Sequence, residues 1–133
     1  MSEEHVNAFF RYWLPWYAYL AAIFTLSCFP RPDEILRVSL KDYWIHPLEY
    51  LFLPALTFRA FLNSQHFSLR DRYRVTGILF CFFYAATDEF HQSFVPHRVG
   101  SLDDLLFDGI GIVLGAVLYQ MWKAKRSHGT FPA

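Results

Sequence analysis

The sequence predicts an all-α fold, a polytopic membrane protein built as a bundle of four transmembrane helices. Composition is the first observation behind this prediction: 54% of the 133 residues are hydrophobic and 20% are aromatic, whereas only 18% are charged. Such a chain is too apolar for an ordinary soluble domain. The second observation is that the apolar residues fall into four stretches, each about long enough to cross the ~30 Å hydrocarbon core of a bilayer as a helix.

The four apolar stretches are separated by polar segments and run over 12–29, 43–60, 75–95 and 105–122. The first stretch has no charged residue and begins with several aromatic side chains, as a helix that enters the membrane at its interface often does. Pro30 and Pro32 are expected to end it. The second stretch is interrupted by His46, Pro47 and Glu49, and it is the least regular of the four.

Basic residues in the connecting segments predict the orientation in the membrane. Four spans put both termini on the same side. The middle loop and the C-terminal tail carry most of the basic residues, namely Arg59, Arg70, Arg72, Arg74, Lys123, Lys125 and Arg126. By the positive-inside rule, the two termini and the middle loop are predicted to be cytoplasmic, so the first and third loops face the outside.

The charge balance of the chain excludes one class of partner. Lys and Arg together number 12, as do Asp and Glu, so the formal net charge is zero. Binding to a nucleic-acid backbone requires a surplus of basic side chains, and no nucleic-acid partner is therefore expected. The expected partners are membrane lipids.

Several ionisable residues lie inside the apolar stretches and indicate a functional site. They are Glu49, Asp88, Glu89, His91 and Asp108. Inserting such a group into the bilayer costs about 2.5–3.5 kcal/mol, so these groups normally face a protein interior or a water-filled cavity. We therefore expect them to point into the helix bundle.

The spacing of these polar residues places them in stripes, because residues three or four apart share one face of a helix. The stripes are Asp42, His46 and Tyr50 on the second helix, Asp88, His91 and Gln92 with Glu89 beside them on the third, and Asp104 with Asp108 on the fourth. All three stripes lie near the predicted outer ends of their helices. They are expected to converge on one outward-facing pocket, with Arg98 and Ser101 on the loop above it.

This set of side chains is compatible with several kinds of chemistry. Carboxylates and imidazole in a poorly solvated cleft suit general acid–base catalysis, for which the candidate catalytic residues are Asp88, Glu89, His91 and Asp104. The candidate ligand-binding residues are Arg98, Gln92, Ser101, His46, Asp42, Tyr50 and Asp108, of which Arg98 suits a phosphate or a carboxylate. The same groups could hold a divalent metal, whose identity the sequence leaves open. The plainest alternative is an ion-pair network that only holds the bundle together.

Two glycines follow the last polar stripe. Gly111 and Gly115 form a small-xxx-small pair, which lets two membrane helices approach closely. Packing within the chain is the favoured interpretation, and a homodimer through Gly111 and Gly115 is the alternative.

The polar stripes resemble the VanZ-like family of small bacterial membrane proteins. The resemblance rests on Asp42-x3-His46-x3-Tyr50, Asp88-Glu89-Phe90-His91-Gln92, Phe94-Val95-Pro96-x-Arg98-x2-Ser101-x2-Asp104 and Asp108-x2-Gly111-x3-Gly115. The resemblance covers Asp42 to Leu118. The length of the chain and its four apolar stretches predict one VanZ-like four-helix membrane domain over 1–126, and the segment 127–133 is predicted to be a flexible tail. The location that the resemblance implies is the bacterial cytoplasmic membrane.

The family takes its name from a glycopeptide-resistance determinant associated with teicoplanin, so the resemblance implies a role at the outer leaflet. One hypothesis is a binding protein for an undecaprenyl-linked cell-wall precursor or a lipoglycopeptide. A second is an intramembrane hydrolase or transferase that acts on a lipid substrate through the Asp-Glu-x-His-Gln motif. A proton-coupled transporter is less favoured, because four short spans leave little room for two access states.

Overall fold

A computed structural model describes residues 3–29, 42–96 and 101–128, with the side chains of 6–29, 46–96 and 101–127. These residues are helical almost throughout and contain no strand, which confirms the predicted all-α class. The α-helices are α1 (Glu3–Ala8), α2 (Leu14–Ser27), α3 (Asp42–Leu51), α4 (Leu53–Leu62), α5 (Phe67–Asp71), α6 (Tyr73–Gln92) and α7 (Leu102–His128). A π-helical turn over Phe9–Trp13 joins α1 to α2.

Three of the four predicted stretches coincide with long helical segments. The stretch 12–29 is formed by the end of the π-helical turn and by α2, the stretch 75–95 by α6, and the stretch 105–122 by α7. Helix α7 is longer than predicted and continues through His128. It therefore includes the first two residues of the predicted tail, and 129–133 lie outside the described residues.

The predicted stretch 43–60 consists of two helices, because the chain bends at Phe52 between α3 and α4. Pro54 explains the break. Proline has no backbone N–H and its ring clashes with the carbonyl group four residues earlier, which is that of Tyr50. In the first turn of α4 the same proline is tolerated, since the N–H groups there have no partner within the helix.

One helix in the described part of the chain is both long and apolar enough to cross a membrane, and it covers Leu102–Ser127 of α7. The outward surfaces of α6 and α7 are also apolar. Leu79, Phe83, Val113 and Leu114 are each more than half exposed on these surfaces. A water-soluble monomer rarely exposes apolar side chains in such number, whereas contact with lipid chains requires them.

Two clusters of apolar side chains fill the space between the helices. The first contains Trp16, Phe58, Phe61, Tyr73 and Tyr119. The second contains Ile23, Tyr50, Leu53, Cys81 and Ile112. Trp16 joins α2 to α4, because its Nε1–H donates a 3.0 Å hydrogen bond to Thr57 Oγ1. The second cluster includes Tyr50 from the predicted polar stripe and therefore adjoins the polar side chains.

Helices α3 and α7 approach each other closely, and two glycines explain this contact. A β-carbon at Gly111 would collide with the carbonyl oxygen of Pro47, and one at Gly115 would collide with the carbonyl oxygen of Leu51. The small-xxx-small pair is therefore used for packing within the chain, as the favoured interpretation predicted. The alternative, a homodimer through these glycines, remains an untested prediction.

Candidate functional site

His46 lies at the centre of a buried polar cluster to which three helices contribute. Helix α3 supplies His46, α6 supplies Glu89, and α7 supplies Asp104 and Asp108. The four side chains are called the His46 cluster below. The close contact of α3 with α7 explains how it forms, because His46 immediately precedes Pro47 and Asp108 lies three residues before Gly111.

The shortest contact in the His46 cluster is a hydrogen bond between His46 and Asp108. Nδ1 of His46 lies 2.9 Å from Oδ1 of Asp108. Both side chains are buried, with 3% of the His46 side chain and none of the Asp108 side chain exposed. A hydrogen bond of this length between buried ionisable groups is strong, because little water competes for either partner.

Two further carboxylates approach the same imidazole ring. Glu89 Oε1 lies 3.9 Å from His46 Nδ1. Asp104 Oδ2 lies 3.7 Å from His46 Nε2 on the other side of the ring, and 27% of the Asp104 side chain is exposed. Within the cluster only His46 can carry a positive charge, so its charge cannot balance three ionised carboxylates.

Ser101 positions the start of α7 and one oxygen of Glu89. Its hydroxyl oxygen accepts hydrogen bonds from the backbone N–H groups of Asp103 and Asp104, as an N-cap residue does. Its own backbone N–H donates a 3.2 Å hydrogen bond to Glu89 Oε2. The Glu89 carboxylate therefore lies at the N-terminus of α7, where the helix dipole favours negative charge.

A second polar group, called the Asp88 group, lies between α2 and α6. Asp88 Oδ2 accepts a 2.7 Å hydrogen bond from the Ser27 hydroxyl and a 2.8 Å hydrogen bond from Gln92 Nε2. All three side chains are buried. The Asp88–Gln92 pair follows the predicted i, i+4 spacing, whereas Ser27 was not predicted. The signal for Ser27 in the sequence is weak, since it is a single hydroxyl near the end of an apolar stretch.

Tyr50 connects the two groups. Its side chain is 1% exposed, and it lies within electrostatic reach of the carboxylates of both Asp88 and Asp108. Two buried carboxylate oxygens of the His46 cluster, Glu89 Oε1 and Asp108 Oδ2, have no hydrogen-bond partner in the described part of the chain. Buried polar atoms of this kind are rare in proteins and require an explanation.

The His46 cluster has the donor atoms of a small metal site. His46, Glu89 and Asp108 each offer one ligand atom, and the three atoms lie within 4.8 Å of one another. One imidazole nitrogen and two carboxylate oxygens form a mixed ligand set of the type that zinc and other first-row transition metals accept.

The other predicted site residues lie apart from this cluster or outside the described part of the structure. His91 instead packs against Phe24 of α2, with the ring centroids 4.6 Å apart. Helix geometry explains this, because residues two apart, such as Glu89 and His91, point in nearly opposite directions. Arg98 and the side chain of Asp42 lie outside the described residues.

An apolar groove runs along the outer surface between α6 and α7, at the same end as the His46 cluster. Its volume is about 700 Å³, and it is lined by Phe82, Leu105, Leu106, Gly109, Ile110, Val113 and Leu114. Leu105 directly follows Asp104, and Gly109 directly follows Asp108. The polar cluster and the groove therefore occupy adjacent faces of the same turns of α7.

Comparison with known protein families confirms the resemblance that the motifs indicated. The VanZ/LLP1 family model matches residues 16–123, which include the His46 cluster and the Asp88 group. Comparisons with curated proteins and with solved structures give no match. Since the matched segment covers most of the sequence, the chain belongs to the VanZ/LLP1 family and is a membrane protein.

Proposed function

We propose that this protein crosses the bacterial cytoplasmic membrane four times, with both termini in the cytoplasm, and binds the head group of a lipid-linked ligand at the outer leaflet. The ligand is an undecaprenyl-linked cell-wall precursor or a lipoglycopeptide. The observation that carries the proposal is the His46 cluster, in which three helices direct ionisable side chains to one buried point. Such groups in a membrane protein normally serve a function.

The contrast between the two ends of the bundle supports this orientation. The His46 cluster and the Asp88 group lie at one end. At the other end, where α6 begins and α7 ends, Arg74 and Lys123 both donate hydrogen bonds to the Tyr73 hydroxyl, at 3.1 and 3.0 Å. The basic end is the one that the positive-inside rule assigns to the cytoplasm.

The apolar groove beside the cluster supports a lipid ligand. Its lining contains only apolar side chains and Gly109, so it suits a prenyl or acyl chain. A ligand whose chain lies in the groove would hold its head group near Asp104, because Leu105 belongs to the groove. The groove and the His46 cluster are then close enough for one amphiphile to place its apolar chain in the groove and its head group at the cluster.

The charge of the cluster restricts how a phosphate could bind. Carboxylates repel phosphate, so a positive group has to stand between them. Arg98 lies between α6 and Ser101 in the sequence, and it is the candidate for this role because a guanidinium binds phosphate through two parallel hydrogen bonds.

Hydrolysis of the lipid-linked ligand is the second candidate function, and Glu89 Oε1, which accepts no hydrogen bond in the described part of the chain, favours it. This atom lies 3.9 Å from His46 Nδ1, so a base and an acid lie side by side. Glu89 would accept a proton from water as the water oxygen bonds to phosphorus. The bond from phosphorus to the bridging oxygen would break, and protonated His46 would give its proton to that leaving oxygen.

Binding and turnover experiments test and separate these functions. The purified protein in lipid nanodiscs is titrated with undecaprenyl phosphate and, separately, with teicoplanin, and phosphate release is followed with undecaprenyl diphosphate. We expect saturable binding that Arg98→Ala weakens and Asp103→Asn leaves unchanged, since Asp103 is exposed and outside the cluster. Phosphate release that is lost in Glu89→Gln would support hydrolysis. Binding of both ligands that is equal in wild type, Arg98→Ala and Glu89→Gln would contradict the binding proposal.

A further inference from the structure

We propose that His46, Glu89 and Asp108 bind one divalent transition-metal ion inside the helix bundle. The site is formed by Nδ1 of His46 on α3, a carboxylate oxygen of Glu89 on α6 and a carboxylate oxygen of Asp108 on α7. Metal binding itself does not depend on the lipid ligand proposed above. It adds a cofactor to the same cluster and links three helices that are distant in sequence.

The distances between the donor atoms fit a first-row metal ion. Ligands that surround a zinc ion tetrahedrally at about 2.0–2.1 Å lie about 3.3 Å from one another. In the cluster, His46 Nδ1 lies 2.9 Å from Asp108 Oδ1 and 3.9 Å from Glu89 Oε1. These distances lie on either side of the ideal value, so small side-chain rotations would suffice to place an ion between the three atoms.

The unpartnered oxygens supply an independent argument for a cation. Glu89 Oε1 and Asp108 Oδ2 are buried and accept no hydrogen bond in the described part of the chain. Their side chains are 8% and 0% exposed. Each carboxylate has a hydrogen bond at its other oxygen, but a buried carboxylate oxygen that accepts none still carries a desolvation cost, and a metal ion bound by the two carboxylates would reduce that cost.

The surroundings of the three donors match those of known metal sites. A histidine that binds metal through one ring nitrogen usually directs the other toward a carboxylate, which fixes the orientation of the ring. Asp104 Oδ2 lies 3.7 Å from Nε2 of His46, on the side away from Glu89 and Asp108. The Ser101 N–H holds the second oxygen of Glu89 at 3.2 Å and so orients that carboxylate as well.

The ligand set indicates which ions to expect and what they could do. One imidazole and two carboxylates suit Zn²⁺ or Mn²⁺ better than Mg²⁺ or Ca²⁺, because the latter two ions prefer oxygen ligands alone. Three protein ligands leave at least one coordination position open, which is typical of metal sites that bind a further ligand. If the proposed function holds, a phosphate oxygen of the lipid head group is the ligand that fits this position, since the ion would offset the negative charge of the carboxylates.

Metal binding is tested on the full chain purified in detergent without a polyhistidine tag, stripped with chelator and dialysed. Isothermal titration with Zn²⁺ and Mn²⁺ measures affinity, and native mass spectrometry counts the bound ions. We expect one ion per chain in the wild type, loss of that ion in Glu89→Gln and in Asp108→Asn, and affinity lowered about 10–100-fold in Asp104→Asn, which acts through His46. Asp103→Asn, an exposed acid on the same helical turn, should bind as tightly as the wild type.

Two outcomes would overturn the proposal. One is a folded wild-type protein that binds neither ion at millimolar concentration, in which case His46 serves only as a hydrogen-bonding partner of the carboxylates. The other is one bound ion in the wild type that persists in Glu89→Gln and Asp108→Asn, which would place the ion elsewhere. No lipid is present in these measurements, so failure of metal binding and failure of lipid binding are observed separately. Circular dichroism of each variant checks its helical content. If a variant does not fold, the titration of the wild type alone decides between the outcomes.

Discussion

Gly111 lies directly against the carbonyl oxygen of Pro47, so no side chain can be accommodated at this point of the contact between α3 and α7. Gly115 makes the same contact with the carbonyl oxygen of Leu51 one turn further on. The two contacts lock α3 against α7. They thereby place His46, the residue before Pro47, next to Asp108, which lies one turn before Gly111.

The first prediction concerns this contact. Gly111→Ala should destabilise the protein by about 1–3 kcal/mol, because the added methyl group forces α3 away from α7 in a packed interior. Thermal unfolding in detergent measures the effect. Gly109→Ala is the matched control, since its β-carbon would meet only the edge of the Phe82 ring, at 3.1 Å. Equal melting temperatures for the two variants would show that the glycine contact is not needed.

A second prediction concerns the hydrogen bond between α2 and α6. Ser27→Ala removes the 2.7 Å hydrogen bond to Asp88, a buried carboxylate that also accepts a hydrogen bond from Gln92. We expect a loss of about 1–3 kcal/mol in the free energy of unfolding. Thr25→Ala is the control, because the exposed Thr25 hydroxyl bonds only to Ala21 O within its own helix. A Ser27→Ala protein as stable as Thr25→Ala would refute the role of Ser27.

Local features of the sequence predicted the all-α class and which polar side chains of one helix lie together. The i, i+4 rule placed Asp88 with Gln92 and Asp104 with Asp108, and intramembrane charge singled out Glu89, which lies in the His46 cluster. Spacing along one helix does not predict which residue of another helix a polar stripe contacts. Ser27 was missed for this reason, and His91 was grouped with Asp88 although it packs on Phe24. Pro54 explains the helix break at Phe52. The break was not predicted, because the stretch 43–60 is apolar on both sides of it.

A third prediction concerns the orientation in the membrane. In a Cys28→Ala background, Asp103→Cys should react with a membrane-impermeant maleimide added to intact cells, because the proposed orientation puts the start of α7 on the outer side. Lys125→Cys, near the other end of α7, should react only after the cells are permeabilised. Both side chains are exposed in the fold, so accessibility within the chain does not limit labelling. Labelling of Lys125→Cys in intact cells would reverse the proposed orientation.

The fourth prediction concerns the groove between α6 and α7. Ile110→Trp should fill the groove and weaken the binding of undecaprenyl phosphate about tenfold, which corresponds to losing the burial of roughly two methylene groups. Metal affinity should stay unchanged, because Ile110 lies on the outer face of α7. Phe83→Trp is the control, since Phe83 is 69% exposed on α6 and does not line the groove. Similar lipid affinities for both variants would indicate that the prenyl chain of the lipid does not bind in this groove.

A double-mutant cycle on His46 and Asp108 tests most directly whether the helices meet at the His46 cluster. The free energy of unfolding in detergent is measured for the wild type, His46→Ala, Asp108→Asn and the double variant, and again with Asp103→Asn in place of Asp108→Asn. For residues 2.9 Å apart and buried, we predict a coupling energy of about 0.5–3 kcal/mol for His46 with Asp108 and none for His46 with Asp103. Additive effects for His46 and Asp108 would show that the two side chains do not touch and would contradict the account of the site.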